Sequence, residues 1–187
     1  MNLEFEGGHS TAITGSNGSG KSTLVRILAG LMRPTRGEVM LNVDGHRIED
    51  AVRPLSCGLV APYLNVYDGF TPRENLDFLA KARGIQDRDD RISSVLDQVQ
   101  ILARADDAVN TFSSGMLQRV RIASALLSDP PVLLLDEPTA TLDVGGISMV
   151  RSVIDTALEN GKIVIVATNE PEEARACEHH VDVEDFL

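Results

Sequence analysis

Apolar runs alternate with amphipathic stretches along this chain, a pattern typical of folds that alternate strands and helices. Five runs rich in apolar or β-branched residues predict strands: Ser10–Thr14, Glu38–Val43, Cys57–Ala61, Val132–Leu135 and Ile163–Thr168. The last two are nearly unbroken, as expected of strands covered on both faces of a parallel sheet. The pattern therefore predicts an α/β fold with a mainly parallel sheet.

Amphipathic stretches after these runs predict helices. One begins at Lys21 and must end before Pro34; its apolar side consists of Leu24, Val25, Leu28 and Leu31. Another begins at Thr71, where Thr-Pro-Arg-Glu supplies an N-cap, a proline at the first helical position and the glutamate of a capping box. A third follows Ser113 and must end by Asp-Pro-Pro at 129–131; its buried side is predicted to contain Val120, Ala123, Leu126 and Leu127.

The order of these elements predicts one domain with an insertion. The middle third of the chain is polar and helix-rich, and its acidic cluster at 87–90 is interpreted as a solvated turn between helices. A length of 187 residues suits a single domain with an inserted subdomain. We therefore expect a core of residues 1–65 and 129–187 and a helical subdomain of residues 66–128.

Composition narrows the choice of partners. The net charge of −11 argues against a protein that tracks nucleic-acid phosphates, so no nucleic-acid partner is expected. Cys57 and Cys177 have neither metal-ligand nor disulfide spacing, which fits a reducing cytosol. No apolar run approaches the roughly 20 residues of a membrane span, and the N-terminus has no signal-peptide pattern. Any work at a membrane is therefore expected to need a partner.

A phosphate-binding loop follows the first predicted strand. Residues 15–22 match G-x-x-x-x-G-K-S and directly precede the first predicted helix, which is the context this motif requires. Its backbone N–H groups converge on phosphate oxygens, Lys21 is predicted to reach the β- and γ-phosphates, and the Ser22 hydroxyl to bind Mg²⁺. The predicted nucleotide-binding residues are Gly15, Ser16, Asn17, Gly18, Ser19, Gly20, Lys21, Ser22 and Thr23.

Two adjacent carboxylates follow the strand Val132–Leu135. Asp136 is placed to hold Mg²⁺ through water, as a Walker B aspartate does, and Glu137 to act as the general base for an attacking water. The alternative is a strand that ends in two exposed acids. The phosphate-binding loop elsewhere in the chain favours the functional interpretation.

A second candidate anion site lies at the start of the third helix. In residues 112–119, Phe-Ser-Ser-Gly-Met-Leu-Gln-Arg, a serine and a glycine at a helix start offer a hydroxyl and free backbone N–H groups. Taken alone, the segment is better explained as an ordinary N-cap.

Together these segments resemble the nucleotide-binding domain of ABC transporters over essentially the whole chain. Residues 112–116 look like that family's signature loop, usually written LSGGQ, and residues 136–143 look like its Walker B and D-loop segments in uninterrupted sequence. The resemblance implies a P-loop NTPase core of the RecA-like type, with ATP and Mg²⁺ as cofactors. It also implies an ATP-dependent homodimer or heterodimer with two ATP molecules in a head-to-tail interface.

In such a dimer each ATP lies between one P-loop and the partner's signature loop. The resemblance implies that Ser113 and Gly115 contact the γ-phosphate in trans and that Asp143 couples the two sites. ATP closes the dimer and its hydrolysis reopens it, which drives a transmembrane permease subunit. The chain is thus expected to be an ATPase at the inner face of the cell membrane, cytoplasmic and held there by its partner, and it looks most like exporter-type subunits.

Two loops depart from the family pattern. Ser114 replaces the first glycine of the signature and Met116 its glutamine, and the phosphate contact is expected to survive both changes. Pro62 stands where the family has its Q-loop glutamine and supplies no side-chain donor or acceptor. Asn65 either replaces that glutamine or is a plain turn residue, and the sequence favours the latter. The adenine-stacking aromatic is expected upstream of the first residue, because Phe5 lies too close to the P-loop.

A fourth departure follows the last core strand. Asn169 stands where the family has a switch histidine that reaches the γ-phosphate. Its amide can donate a hydrogen bond but can neither titrate nor carry charge. It is therefore expected to position groups near the γ-phosphate without a proton-linked role. The alternative is that Asn169 only caps the helix predicted by Glu-Pro-Glu at 170–172.

Four aromatic residues gather in one short segment: Tyr63, Tyr67, Phe70 and Phe78. In the family this segment receives a helix from the membrane subunit, and aromatic side chains suit such anchoring. The alternative is that they pack inside the helical subdomain. Two rival functions remain open: an ABC ATPase that does not transport, and a degenerate cassette that acts as an ATP-dependent clamp or regulator.

Overall fold

A five-stranded parallel sheet organises the protein, whose computed structural model describes residues 1–186. The strands are β1 (Ser10–Thr14), β2 (Leu41–Val43), β3 (His46–Ile48), β4 (Cys57–Val60), β5 (Val132–Asp136), β6 (Ile163–Ala167) and β7 (His179–Asp182). The helices are α1 (Lys21–Leu28), α2 (Pro72–Ala82), α3 (Arg88–Gln98), α4 (Ser114–Leu126), α5 (Val144–Glu159) and α6 (Pro171–Ala176). The large sheet has the order β4-β5-β6-β1-β7, and β2 and β3 form a separate antiparallel hairpin. The predicted α/β fold with a mainly parallel sheet is confirmed.

The apolar runs predicted the central strands correctly, but one peripheral strand was predicted too long and two others were missed. The prediction of Glu38–Val43 was too long, because only Leu41–Val43 pairs with the neighbouring strand. Both β3 and the edge strand β7 were missed, since His-Arg-Ile and His-His-Val-Asp lack an apolar run. The prediction of a turn at 87–90 was also wrong in part: α3 begins at Arg88, so Asp87 is its N-cap and Asp89 and Asp90 occupy its first turn.

The predicted helix signals account for the observed boundaries. The capping box of α2 is formed, with the Glu74 backbone N–H donating to Thr71 Oγ1 and the Glu74 carboxylate accepting from the Thr71 backbone N–H. The four residues predicted for the buried side of α4 are all in the core. Leu31 is an exception to the pattern in α1: it lies beyond the last turn and is 56% exposed.

Apolar side chains cover both faces of the sheet. Along β6, Val164 and Val166 belong to one apolar cluster and Ile165 and Ala167 to the other. The first cluster also contains the apolar faces of α2 to α5, and the second contains Val25 of α1. No helix within residues 1–186 combines the length and apolar character needed to cross a membrane.

Helix α4 packs very closely on the core strand β4. A Cβ atom added to Gly58 would lie 2.3 Å from the Ala125 carbonyl oxygen and 2.8 Å from Pro130 Cγ. Because no side chain fits there, glycine is required for this approach. The helix that begins at the signature-like loop is thereby seated directly on the sheet.

Candidate functional site

The strand order brings three candidate segments to one edge of the sheet. The strands β1, β5 and β6 are parallel, so their carboxyl ends lie at the same edge. The phosphate-binding loop follows β1, Asp136 ends β5, and Asn169 follows β6. Because β6 lies between β1 and β5, Asn169 is placed between the loop and the two carboxylates. Crevices at the carboxyl edge of such sheets are the usual ligand sites.

The loop after β1 has the backbone geometry of a phosphate cradle. Gly15 has φ of 137°, and an added Cβ would lie 2.6 Å from Ser19 Oγ. Gly20, with φ of 108°, is the N-cap of α1 and lies in the left-handed region that favours glycine. The chain thus turns tightly into α1 and presents the first backbone N–H groups of that helix toward the crevice, which suits an anion.

Lys21 is almost completely buried and fully hydrogen-bonded. Its side chain is packed inside the loop, with 6% of the residue exposed. The Nζ atom donates to the Gly15 carbonyl at 2.7 Å, to the Ser16 carbonyl at 3.0 Å and to Asn169 Oδ1 at 2.8 Å. All three ammonium donors therefore point to defined acceptors around the loop.

Asn169 connects the two halves of the site. Its Nδ2 group donates to Glu137 Oε1 and to Asn17 Oδ1, each at 2.8 Å, while Oδ1 accepts from Lys21. A neutral imidazole, with two ring nitrogens, could make at most two of these three contacts. The alternative of helix capping is wrong, because Glu170 is the N-cap of α6 and the Asn169 side chain bonds Lys21, Glu137 and Asn17 instead.

Asp136 has the environment of a cation ligand. The residue is 2% exposed, and its Oδ2 atom has no hydrogen-bond partner among residues 1–186. A buried carboxylate oxygen that is left unpaired is costly unless a cation or its bound water fills the position. Asp136 and the Ser22 hydroxyl supply the hard oxygen donors that Mg²⁺ prefers, so these residues fit the ion.

Glu137 is held in a strained backbone conformation. It has φ of 51°, uncommon for a residue other than glycine, and its N–H donates to the Ala167 carbonyl at 2.8 Å. Burial raises the pKa of the Glu137 carboxyl, and the nearby Glu173 and Asp136 raise it further, whereas Lys21 and a hydrogen bond from Asn169 oppose the shift. A raised pKa makes this carboxylate a stronger proton acceptor than an exposed glutamate.

Two carboxylates near the site, Glu173 and Glu184, were not predicted from the sequence. Glu173 Oε1 accepts from Thr139 Oγ1, and its Oε2 atom is buried without a hydrogen-bond partner in the described part of the chain. Glu184 Oε1 accepts from both the backbone N–H and the hydroxyl of Ser16 in the loop. No motif marks either residue, because both belong to short polar segments whose position depends on β6 and β7.

The signature-like segment begins α4, which packs on β4, and two strands separate β4 from the strand β1 that precedes the P-loop. Ser113 caps α4 by accepting from the Met116 N–H at 3.3 Å, as the N-cap interpretation predicts. A Cβ added to Gly115 would lie 3.1 Å from the Thr141 carbonyl. Asp143 is the N-cap of α5, accepting from the Gly146 N–H at 2.8 Å, and its side chain is 81% exposed. No hydrogen bond connects Ser113 to residues 15–23 within the described chain.

The segment after β4 presents its aromatic residues to solvent. Tyr63, Tyr67, Phe70 and Phe78 are between 38% and 55% exposed, so none of the four rings is buried in the core. Buried Asn75 fixes the segment, because its side chain exchanges hydrogen bonds with the Tyr67 N–H and carbonyl. Asn65 lines an adjacent cavity of about 320 Å³, and Pro62 is exposed.

Comparison with known proteins agrees with this architecture. Residues 1–140 match the family model described as ABC transporter. The taurine import ATP-binding protein TauB of Roseobacter denitrificans is 36% identical over 179 residues, which cover 93% of this chain and 65% of that protein. The Nod factor export ATP-binding protein I of Cupriavidus metallidurans is 31% identical over 182 residues, which cover 96% of this chain and 60% of that protein. The chain thus spans less than two thirds of the length of each relative.

A solved structure shares the whole fold. The dimeric post-hydrolysis state of the ATP-binding cassette MJ0796 bound to ADP and Pi has a TM-score of 0.85 at 28% identity, covering 97% of this chain and 83% of that chain. The strand order, the P-loop before α1 and the paired carboxylates after β5 are thus accompanied by matching sequences and a matching fold. This chain belongs to the ABC transporter family.

Proposed function

We propose that this protein is the ATP-binding subunit of an ABC transporter and hydrolyses ATP to drive a transmembrane permease. The observation that carries the proposal is the set of three hydrogen bonds made by Asn169. They join the lysine of the phosphate-binding loop, Lys21, to the predicted general base, Glu137. Burial and the neighbouring Glu173 raise the pKa of the Glu137 carboxyl, which suits a group that accepts a proton from water.

Each residue then has a defined task. Residues 15–23 hold the triphosphate, and Lys21 moves from its carbonyl acceptors to the β- and γ-phosphates. Glu137 accepts the proton of the attacking water. Asn169 holds Glu137 and Lys21 in register and takes no proton, so catalysis here does not depend on a titrating switch residue.

Mg²⁺ belongs to the same proposal. Asp136 and Ser22 would hold the ion, which when bound neutralises phosphate charge. The unpaired Oδ2 atom of Asp136 supports this assignment. Asp136 takes no part in proton transfer, because its role is that of a fixed metal ligand.

A second copy, or a related cassette, would complete the site. Ser113 and Gly115 lie at the start of α4, apart from the P-loop of their own chain, and they would contact the γ-phosphate of a partner subunit's ATP. Asp143 is exposed at the start of α5 and would link the two sites across the interface. The dimeric cassette structure with ADP and Pi supports this arrangement.

The exposed aromatic segment is the proposed docking surface for the permease, at the inner face of the membrane. Tyr67 contacts Phe70 and Phe78 with ring centroids 5.7 and 5.6 Å apart, so three rings form one apolar surface beside the cavity lined by Asn65. Relatives named for import and for export both match this chain, and they favour neither direction of transport.

The test is phosphate release from Mg²⁺-ATP over a range of protein concentrations, with Glu137→Gln as the blank. A specific rate that rises with concentration is expected, because each site needs a residue from a second subunit. The rival function, an ATP-dependent clamp, is favoured by Pro62, which removes the Q-loop side chain. ATP-dependent dimerisation in size-exclusion chromatography without phosphate release would support the clamp. The absence of both ATP-dependent dimerisation and phosphate release would refute the proposal.

A further inference from the structure

Three metal-ligating side chains meet at the opposite edge of the sheet from the nucleotide site. His9 directly precedes β1, Glu178 directly precedes β7, and His179 is the first residue of β7. One ligand atom from each of these residues lies within 4.8 Å of the others. The phosphate-binding loop follows the other end of β1, roughly 15 Å away at the usual rise of a strand. The cluster is therefore separate from the residues proposed for ATP.

The backbone of the cluster is fixed by the sheet. The strands β1 and β7 are parallel, with Thr11 opposite His179, so their starting residues are brought together. The Glu178 N–H donates to Ser10 Oγ at 3.1 Å, which ties the start of β7 to the start of β1. Side-chain motion is then the only adjustment that a bound ion would require.

The side chains already lie near one another and are open to solvent. His9 Nδ1 is 2.7 Å from Glu178 Oε2, and the His9 and His179 ring centroids are 5.5 Å apart. The side chains of His9 and Glu178 are 39% and 55% exposed, so an ion can reach them and water can complete its coordination. Glu6 lies close enough to His9 to add negative charge at the site.

The donor set selects a class of metal ion. Two imidazole nitrogens and one carboxylate oxygen suit Zn²⁺, Cu²⁺ or Ni²⁺, whereas Mg²⁺ and Ca²⁺ prefer oxygen donors alone. Bonds of about 2.0–2.1 Å in a tetrahedron place the ligand atoms about 3.3 Å apart. The spread of up to 4.8 Å is closed by small rotations of exposed side chains.

We propose that His9, Glu178 and His179 form a surface site for a divalent transition-metal ion, with Zn²⁺ the best match to the donors. The ion would link the edge strand β7 to β1, its neighbour in the large sheet. It would thus secure the strand that leads to Glu184 and its contact with the phosphate-binding loop. This proposal does not rest on ATP hydrolysis.

The test is isothermal titration of the tag-free protein with Zn²⁺, without nucleotide and with Mg²⁺ in excess to compete at Asp136. We expect one equivalent to bind to the wild type and binding to be lost in His9→Ala and in His179→Ala. At about 100 times its Kd, Zn²⁺ should raise Tm by roughly 5–10 °C. His46→Ala is the matched control, because His46 lies on the separate β2–β3 hairpin with its ring bonded to the Asp44 carbonyl.

The titration results distinguish a metal site at His9, Glu178 and His179 from binding elsewhere. Wild-type stoichiometry in His46→Ala together with loss in both cluster variants would support the site. Equal binding by wild type and both cluster variants, or no binding by the wild type, would overturn it. The conservative variant Glu178→Gln guards against misfolding: it should fold with an unchanged Tm in the absence of metal and bind Zn²⁺ at least about tenfold more weakly. Undiminished affinity in that variant would also contradict the proposal.

Discussion

Replacing Asn169 by alanine removes the three hydrogen bonds that join the halves of the site. The change leaves the sheet intact, because Asn169 lies beyond the last residue of β6 and is exposed. It releases Lys21 and Glu137 from their shared partner, and Asn17 loses the same amide. The expected defect is therefore in catalysis rather than in folding.

The size of the defect follows from what the amide does. A hydrogen bond to a charged group contributes about 1.5–3 kcal/mol, and solvent exposure at Asn169 reduces that figure. If about 1.4–2.7 kcal/mol of positioning is lost in the transition state, turnover falls by about 10- to 100-fold. Loss of a general base costs about 100- to 10,000-fold, so Glu137→Gln should be the more severe change.

The assay is steady-state phosphate release at saturating Mg²⁺-ATP, with the wild type, both variants and a matched asparagine control measured together. Asn160→Ala serves as the control: Asn160 is exposed at the end of α5, and its side chain donates to the Thr156 carbonyl, far from the site. Its turnover should equal that of the wild type, and melting curves should show all variants folded.

Two results would refute the reasoning. Turnover of Asn169→Ala as low as that of Glu137→Gln would mean that the amide does more than position its neighbours. Turnover equal to the wild type would mean that the contacts to Lys21 and Glu137 have no part in the reaction. An intermediate rate is the only outcome that the geometry predicts.

Three further predictions concern other parts of the molecule. Because the Glu173 carboxylate helps to raise the pKa of Glu137, which must be ionised to accept a proton, Glu173→Gln should move the acid limb of the kcat–pH profile to lower pH; an unmoved limb would contradict this. Loss of the capping box in Thr71→Ala should cost about 1 kcal/mol and lower Tm by about 2–4 °C with turnover unchanged. Gly58→Ala should destabilise the fold by about 1–3 kcal/mol in denaturant unfolding, whereas Gly69→Ala, with nothing within 4 Å, should not.

The central fold could be predicted because its signals are local. The runs that became β5 and β6 are apolar at nearly every position, which is what burial on both faces demands. The start of α2 was equally predictable, since the capping-box hydrogen bonds join Thr71 and Glu74 within one turn. By contrast, β7 forms by pairing with β1, which is far away in sequence, and the polar residues of β7 do not indicate a strand.

The candidate site also has a part that could be predicted from local sequence and a part that could not. The phosphate-binding loop and Asp136 were predictable, because their residue types and flanking elements lie together in sequence. The contact of Asn169 with Asn17 was not, since 152 residues separate them and an asparagine before Glu-Pro-Glu also fits a helix cap. Nor could Glu173 be foreseen, because its burial depends on how α6 lies against Thr139.

The interleaved strand order has a consequence for how the protein folds during synthesis. The strand that joins β1 to β5 is β6, which begins only at Ile163. In a nascent chain that ends before this residue, the loop lysine follows β1 and the Walker B carboxylates follow the apolar run of β5. These two strands do not pair directly, because each pairs with β6. Pairing at such long sequence separation is slow to form. The ability to bind nucleotide should therefore arise abruptly, once residues 163–169 have left the ribosome and closed the sheet.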